Sequence, residues 1–99
     1  MDIEDWRSEI DEIDMKLLRL LNKRARIAIK VGALKQVSGL PLCDPCREHE
    51  ILVRVRDANS GPLDNEVVVH LFRQIITASR QAEAERCGEK SFAMQEVAL

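Results

Sequence analysis

The sequence predicts an all-α chain of one long N-terminal helix and two shorter helices, paired with a second copy as an intertwined antiparallel homodimer. Three observations predict it. Apolar residues along the first third recur in alternating steps of three and four. Two later stretches repeat apolar residues at helical spacing between clear breakers. Acids and bases also segregate along the first stretch in a way that suits a reversed partner.

The first helix carries Ile3, Trp6, Ile10, Ile13, Leu17, Leu20, Ile27, Val31 and Leu34 in that rhythm, with one gap. No proline precedes Pro41, and the first strong breaker is Ser38-Gly39-Leu40-Pro41. A helix over about 3–36 is therefore expected, near 50 Å long at roughly 1.5 Å per residue. That is more than a chain of 99 residues can cover by itself, and a sustained 3-4 seam requires a facing helix.

The charges set the direction of that facing helix. Residues 1–14 hold seven acids against Arg7 alone, whereas residues 15–43 hold seven bases and no acid. Acids at the start and bases at the end suit the helix dipole, and antiparallel pairing places each acidic half against the other's basic half. The basic stretch has no interleaved aromatics and no motif for nucleic acid, so no nucleic-acid partner is expected.

A second helix starts at Asp44, a good N-cap, with Pro45 in the first helical position. Ile51, Leu52, Val55 and Ala58 form its apolar face, and Asn59-Ser60-Gly61-Pro62 ends it. Asp64 or Asn65 starts the third, with Val68, Leu71, Phe72, Ile75, Ile76 and Ala82 inward and a stop near Cys87-Gly88. The Val67-Val68-Val69 run has strand propensity, but a lone strand would find nothing to pair with. Residues 1–88 thus read as one helical domain and 89–99 as a loosely ordered tail.

Composition narrows the setting. Apolar residues are 45%, enough for a core, yet with two Phe, one Trp and no Tyr that core rests on aliphatic side chains. Three cysteines cannot all pair, and the acidic N-terminus lacks the basic and apolar regions of a signal peptide. No apolar run nears the roughly 18 residues of a membrane span. A reduced, cytoplasmic chain without a membrane partner is the expectation.

Polar residues that break the apolar stripes mark the candidate site. The gap in the first seam falls at position 24, where Arg24 stands in an apolar slot. A guanidinium there is costly unless an anion meets it, whether an internal carboxylate or a ligand. Lys35 lies eleven residues on, about 20° round the same face and roughly 16 Å along it. In the antiparallel pair, residue 7 of one chain falls opposite about residue 32 of the other. Arg7 then approaches the partner's Arg24 and Lys35, with Arg47 available from the second helix. Such a cluster suits a small molecule with two carboxylates. On the third helix Ser79 and Glu83 share the stripe of Ile76, and an inward carboxylate needs a partner or a proton.

Taken together, Arg7-x-x-Ile10-x-x-Ile13-Asp14-x-x-Leu17-Leu18-x-Leu20-Leu21-x-x-Arg24, Val31-Gly32-x-x-Lys35, Asp44-x-x-Arg47-Glu48 and Leu71-Phe72-x-x-Ile75-Ile76-x-x-Ser79 resemble the all-helical chorismate mutases over residues 3–87. The resemblance implies intertwined homodimers of three-helix chains, each of two sites drawing on both subunits, and conversion of chorismate to prephenate without cofactor or metal. It implies that Arg24 and Arg47, with Arg7 from the other chain, bind the two substrate carboxylates, and that Ser79 assists at the ring carboxylate. It further implies that Lys35 and residue 83 hold the ether oxygen, that Asp44 and Glu48 hold the ring hydroxyl, and that Val31 and Ile76 wall the ring. Many relatives carry glutamine where this chain has Glu83.

Within that frame Cys43-x-x-Cys46 is incidental: Cys46 is a spacer at a helix start and Cys43 precedes the N-cap. A four-ligand zinc site would have to recruit His49 and Cys87 from separate helices, and the βαβ context of a thioredoxin-like pair is missing. Two rivals remain. An isochorismate-pyruvate lyase of the same fold has less need of Asp44 and Glu48, because its substrate carries the hydroxyl at another ring carbon. A non-catalytic helical dimer accounts for the seam but not for the polar interruptions at 24, 79 and 83.

Overall fold

A computed structural model describes residues 1–86 as three helices: α1 (Ile3–Ser38), α2 (Pro45–Ala58) and α3 (Asn65–Arg86). No strand occurs among the described residues, and Val67–Val69 lie in α3. The expected stop near Cys87-Gly88 and the expected tail 89–99 lie outside the described residues.

The ends of α1 and α2 have local causes. Asp2 accepts from the Asp5 backbone N–H while the Asp5 carboxylate accepts from the Asp2 backbone N–H, both at 3.0 Å, a reciprocal cap on α1. At the other end Gly39 takes φ 73°, a left-handed conformation that glycine enters without a Cβ penalty. Asp44 Oδ1 accepts from Arg47 N at 3.1 Å, and Pro45 occupies the first turn of α2. Asn59 ties the α2–α3 turn together, with its amide donating to Leu63 O and Asn65 Oδ1 and its carbonyl oxygen accepting from Gly61 N.

The helix α3 packs on the C-terminal half of α1 and also on α2. The α1 face toward α3 runs through Leu21, Arg24, Ala25, Ala28, Gly32 and Lys35, which are buried or half-buried. At the tightest point a Cβ on Gly32 would stand 3.1 Å from Glu83 Cβ and 3.2 Å from its Oε2, so any larger residue there requires the Glu83 side chain to give by a few tenths of an ångström.

The seam predicted from periodicity is the face that α3 leaves open. Trp6, Ile10, Ile13, Leu17, Leu20, Ile27 and Leu34 are all at least half exposed. Leu71, expected inward, is 48% exposed as well, because neither α1 nor α2 reaches that side of α3. The only buried apolar residues among those described are Val68, Ile76 and Ala84, and none has its side chain fully enclosed. The radius of gyration, 16.7 Å, exceeds the roughly 12–13 Å of a compact domain this long. Each large apolar side chain removed from water contributes about 1.5–3 kcal/mol, so covering the open seam would add substantially to stability.

Candidate active site

A cleft of about 260 Å³ opens where the second half of α1, the start of α2 and the second half of α3 converge. Nine of the ten residues singled out from the sequence line it: Arg24, Val31 and Lys35 from α1; Asp44, Arg47 and Glu48 around the start of α2; Ile76, Ser79 and Glu83 from α3. The tenth, Arg7, does not. It sits near the start of α1, ion-paired with Glu4 at 2.9 Å on an exposed surface. Seventeen residues separate it from Arg24, roughly 25 Å along the helix.

Arg24 is half-buried, and its Nη1 donates to Ser79 Oγ at 2.6 Å. The internal carboxylate that could have explained its place in the seam is absent from the ion pairs of the described residues. Its charge therefore faces the cleft with only a neutral hydroxyl as companion. Arg47 adds a second cation at the rim, held by Glu50 on the same helix at 3.4 Å.

Lys35 and Glu83 form the deep polar end. Lys35 Nζ donates to the Leu42 carbonyl at 2.9 Å and lies 3.7 Å from Glu83 Oε2. An ammonium has three hydrogens, so two remain for other acceptors. Glu83 Oε2 is buried and has no hydrogen-bond partner. Such an atom is costly to leave unmet, and here it faces a cavity. Val31, Ile76, Ala28 and Ile51 form apolar walls between this end and the arginines.

The opposite wall holds a residue that periodicity does not single out. Arg80 Nη1 donates to Glu48 Oε2 and, at 3.4 Å, to Cys43 Sγ. It follows Ser79 directly, about 100° round the helix, where an exposed arginine is unremarkable. A search for cations able to reach the acid at the head of α2 would have been the one signal for it. Cys43 and Cys46 are both free and exposed, and no group of three or more His, Cys, Asp or Glu among the described residues could hold a metal ion. No described helix is long and apolar enough to cross a membrane.

Fixed cations at both ends of an apolar-walled cleft can bind and fold a small dianion and stabilise charge within it. Comparison with known proteins agrees. Residues 6–84 match the family model for chorismate mutase type II. The chain is 37% identical over 86 residues to a bifunctional chorismate mutase/prephenate dehydratase of Aquifex aeolicus, covering 83% of this chain and 24% of that protein. It thus spans about a quarter or less of the length of the bifunctional relatives it matches. Among solved structures, chorismate mutase (form II) of Thermus thermophilus superposes with TM-score 0.80 at 38% identity, covering 82% of this chain and 92% of that one. Chorismate mutase of Helicobacter pylori in complex with prephenate gives TM-score 0.80 at 33% identity, covering 88% and 94%.

Proposed function

The chain belongs to the type II chorismate mutase family, and on that premise we propose that it converts chorismate to prephenate, in the cytoplasm, as a homodimer whose two sites each draw on both subunits. The observation that carries this reading is Arg24, half-buried at the cleft without a carboxylate partner, opposite a Lys35–Glu83 end that still has hydrogens to give. The catalytic domain is the helical unit over residues 1–88.

In this reading Arg24 and Arg47 bind the substrate carboxylates, and Ser79, already bonded to Arg24, supports the ring carboxylate. Asp44 and Glu48 receive the ring hydroxyl. Asp44 has one oxygen committed to capping α2, so its second oxygen or its backbone serves. Val31 and Ile76 press on the ring and favour the folded, diaxial conformer, which removes part of the barrier in advance. As the C–O bond breaks, negative charge grows on the ether oxygen, and Lys35 meets it without any reorganisation of solvent. The rearrangement is unimolecular and needs no cofactor.

Arg7 enters through dimerisation. The open seam of α1 supports a second copy lying antiparallel along it, which brings the partner's first turns to this chain's cleft. The direct test is incubation of the pure protein with chorismate and, separately, with isochorismate. Prephenate forms from the first and no salicylate from the second. Salicylate release without prephenate would assign the cleft to the lyase reaction instead.

Residue 83 can be tested by substitution. An ether oxygen only accepts hydrogen bonds, and Glu83→Gln places a permanent donor of similar shape at the same spot. The variant is expected to remain active. The measurement is kcat/KM for chorismate with both proteins, with circular dichroism confirming the fold. A folded Gln variant that is inert would remove residue 83 from the ether oxygen.

A further inference from the structure

Arg80 has no place in the ligand scheme above, yet its guanidinium lies in the cleft wall and holds the acid that the scheme assigns to the ring hydroxyl. Glu48 is the half-buried partner, with side-chain exposure of 28% against 35% for Arg80. At that exposure the pair is worth more than a fully solvated one, and its geometry is fixed by two different helices rather than by neighbours on one. The Arg80 contact falls on Oε2 alone, which leaves Oε1 of Glu48 without a bond among the described residues. The Cys43 thiol also turns toward Oε2, at 4.0 Å.

We infer that Arg80 is the positioning residue that fixes Glu48 for the substrate's ring hydroxyl, and so sets how strongly this site selects substrates by that hydroxyl. This rests on the chorismate mutase reading. Two physical effects combine. Holding Oε2 restricts the Glu48 side chain to one orientation, so that the bond to the hydroxyl is made without freezing a free rotor. The guanidinium also offsets the carboxylate's charge, which would otherwise repel a dianionic substrate across a narrow cleft. Glu48 can thus serve as a hydroxyl acceptor in a pocket that must attract anions. The acid and its counter-charge come from different helices, and their meeting point faces the cavity.

The test compares chorismate with its analogue in which the ring hydroxyl is replaced by hydrogen, for wild type, Arg80→Met, Arg80→Lys, Glu48→Gln and the double variant Arg80→Met/Glu48→Gln. In Arg80→Met, kcat/KM for chorismate falls about tenfold or more, while that for the deoxy analogue, which meets the uncovered charge but has no hydroxyl to place, falls at least about threefold less. Arg80→Lys keeps a cation in reach of Oε2 and retains most of the selectivity. In the Glu48→Gln background, Arg80→Met changes chorismate turnover by no more than about twofold, as expected of two residues acting as a unit. Equal losses on both substrates, additive losses in the double variant, or no loss at all would each overturn the inference. Circular dichroism of every variant ensures that the comparison is among folded proteins. A wild-type protein that leaves chorismate unchanged would overturn the function itself, so the two failures are distinct.

Discussion

Arg24→Ala is expected to lower kcat/KM for chorismate by about a thousandfold or more, the scale on which a preorganised charge contact is lost from a transition state. The fold should survive. Arg24 brings a half-buried cation to the α1–α3 junction and gains there only a hydroxyl partner, Ser79 Oγ. Removing it relieves a desolvation cost and leaves Ser79 free to bond back to its own helix. Steady-state kinetics, circular dichroism and sedimentation of the variant together decide the matter. Near wild-type kcat/KM would show that Arg24 is no substrate ligand and that the site is misplaced.

Mixing two inactive proteins, Arg7→Ala and Arg24→Ala, is expected to restore activity. Each site of the proposed dimer takes Arg24 from one chain and Arg7 from the other. A mixed dimer therefore has one site with both arginines intact and one with neither. With random exchange about half of all dimers are mixed, so roughly a quarter of wild-type activity returns. Within a single chain Arg7 cannot do this work, lying far along α1 from the cleft with Glu4 as its only ion-pair partner among the described residues. Co-refolding the two variants, with exchange verified by mass-tagged subunits, gives the answer. No recovery despite proven exchange would rule out a shared site.

Much of the fold was legible because its causes are local. The 3-4 recurrence from Ile3 to Leu34, Gly39 after the last turn, and Asp44-Pro45 ahead of α2 each depend on residues within one or two turns. The polar interruptions at 24, 79 and 83 could be found for the same reason: a charge on an apolar stripe is visible along one helix, without knowing what it meets. Leu71 shows the limit of that logic. It repeats with the α3 stripe yet remains half exposed, since periodicity defines a face and does not say how wide a neighbour covers it.

By itself, then, the sequence determined three helices, both ends of α1 and α2 and the start of α3, an apolar seam on α1 and nine residues that line the cleft. The tertiary structure alone decided the contacts between helices. It put Arg24 on Ser79 rather than on a carboxylate, Lys35 between the Leu42 carbonyl and Glu83, and Arg80 on Glu48. It also showed what glycine at position 32 does, since α1 passes Glu83 so closely that a Cβ would press on its side chain. The physical reason is one of scale. Helix periodicity repeats about every 3.6 residues and is written along the chain, whereas the rotation and offset of one helix against another follow from packing whole faces together. A shift of one residue in that packing would exchange every one of these partners while leaving the sequence pattern untouched.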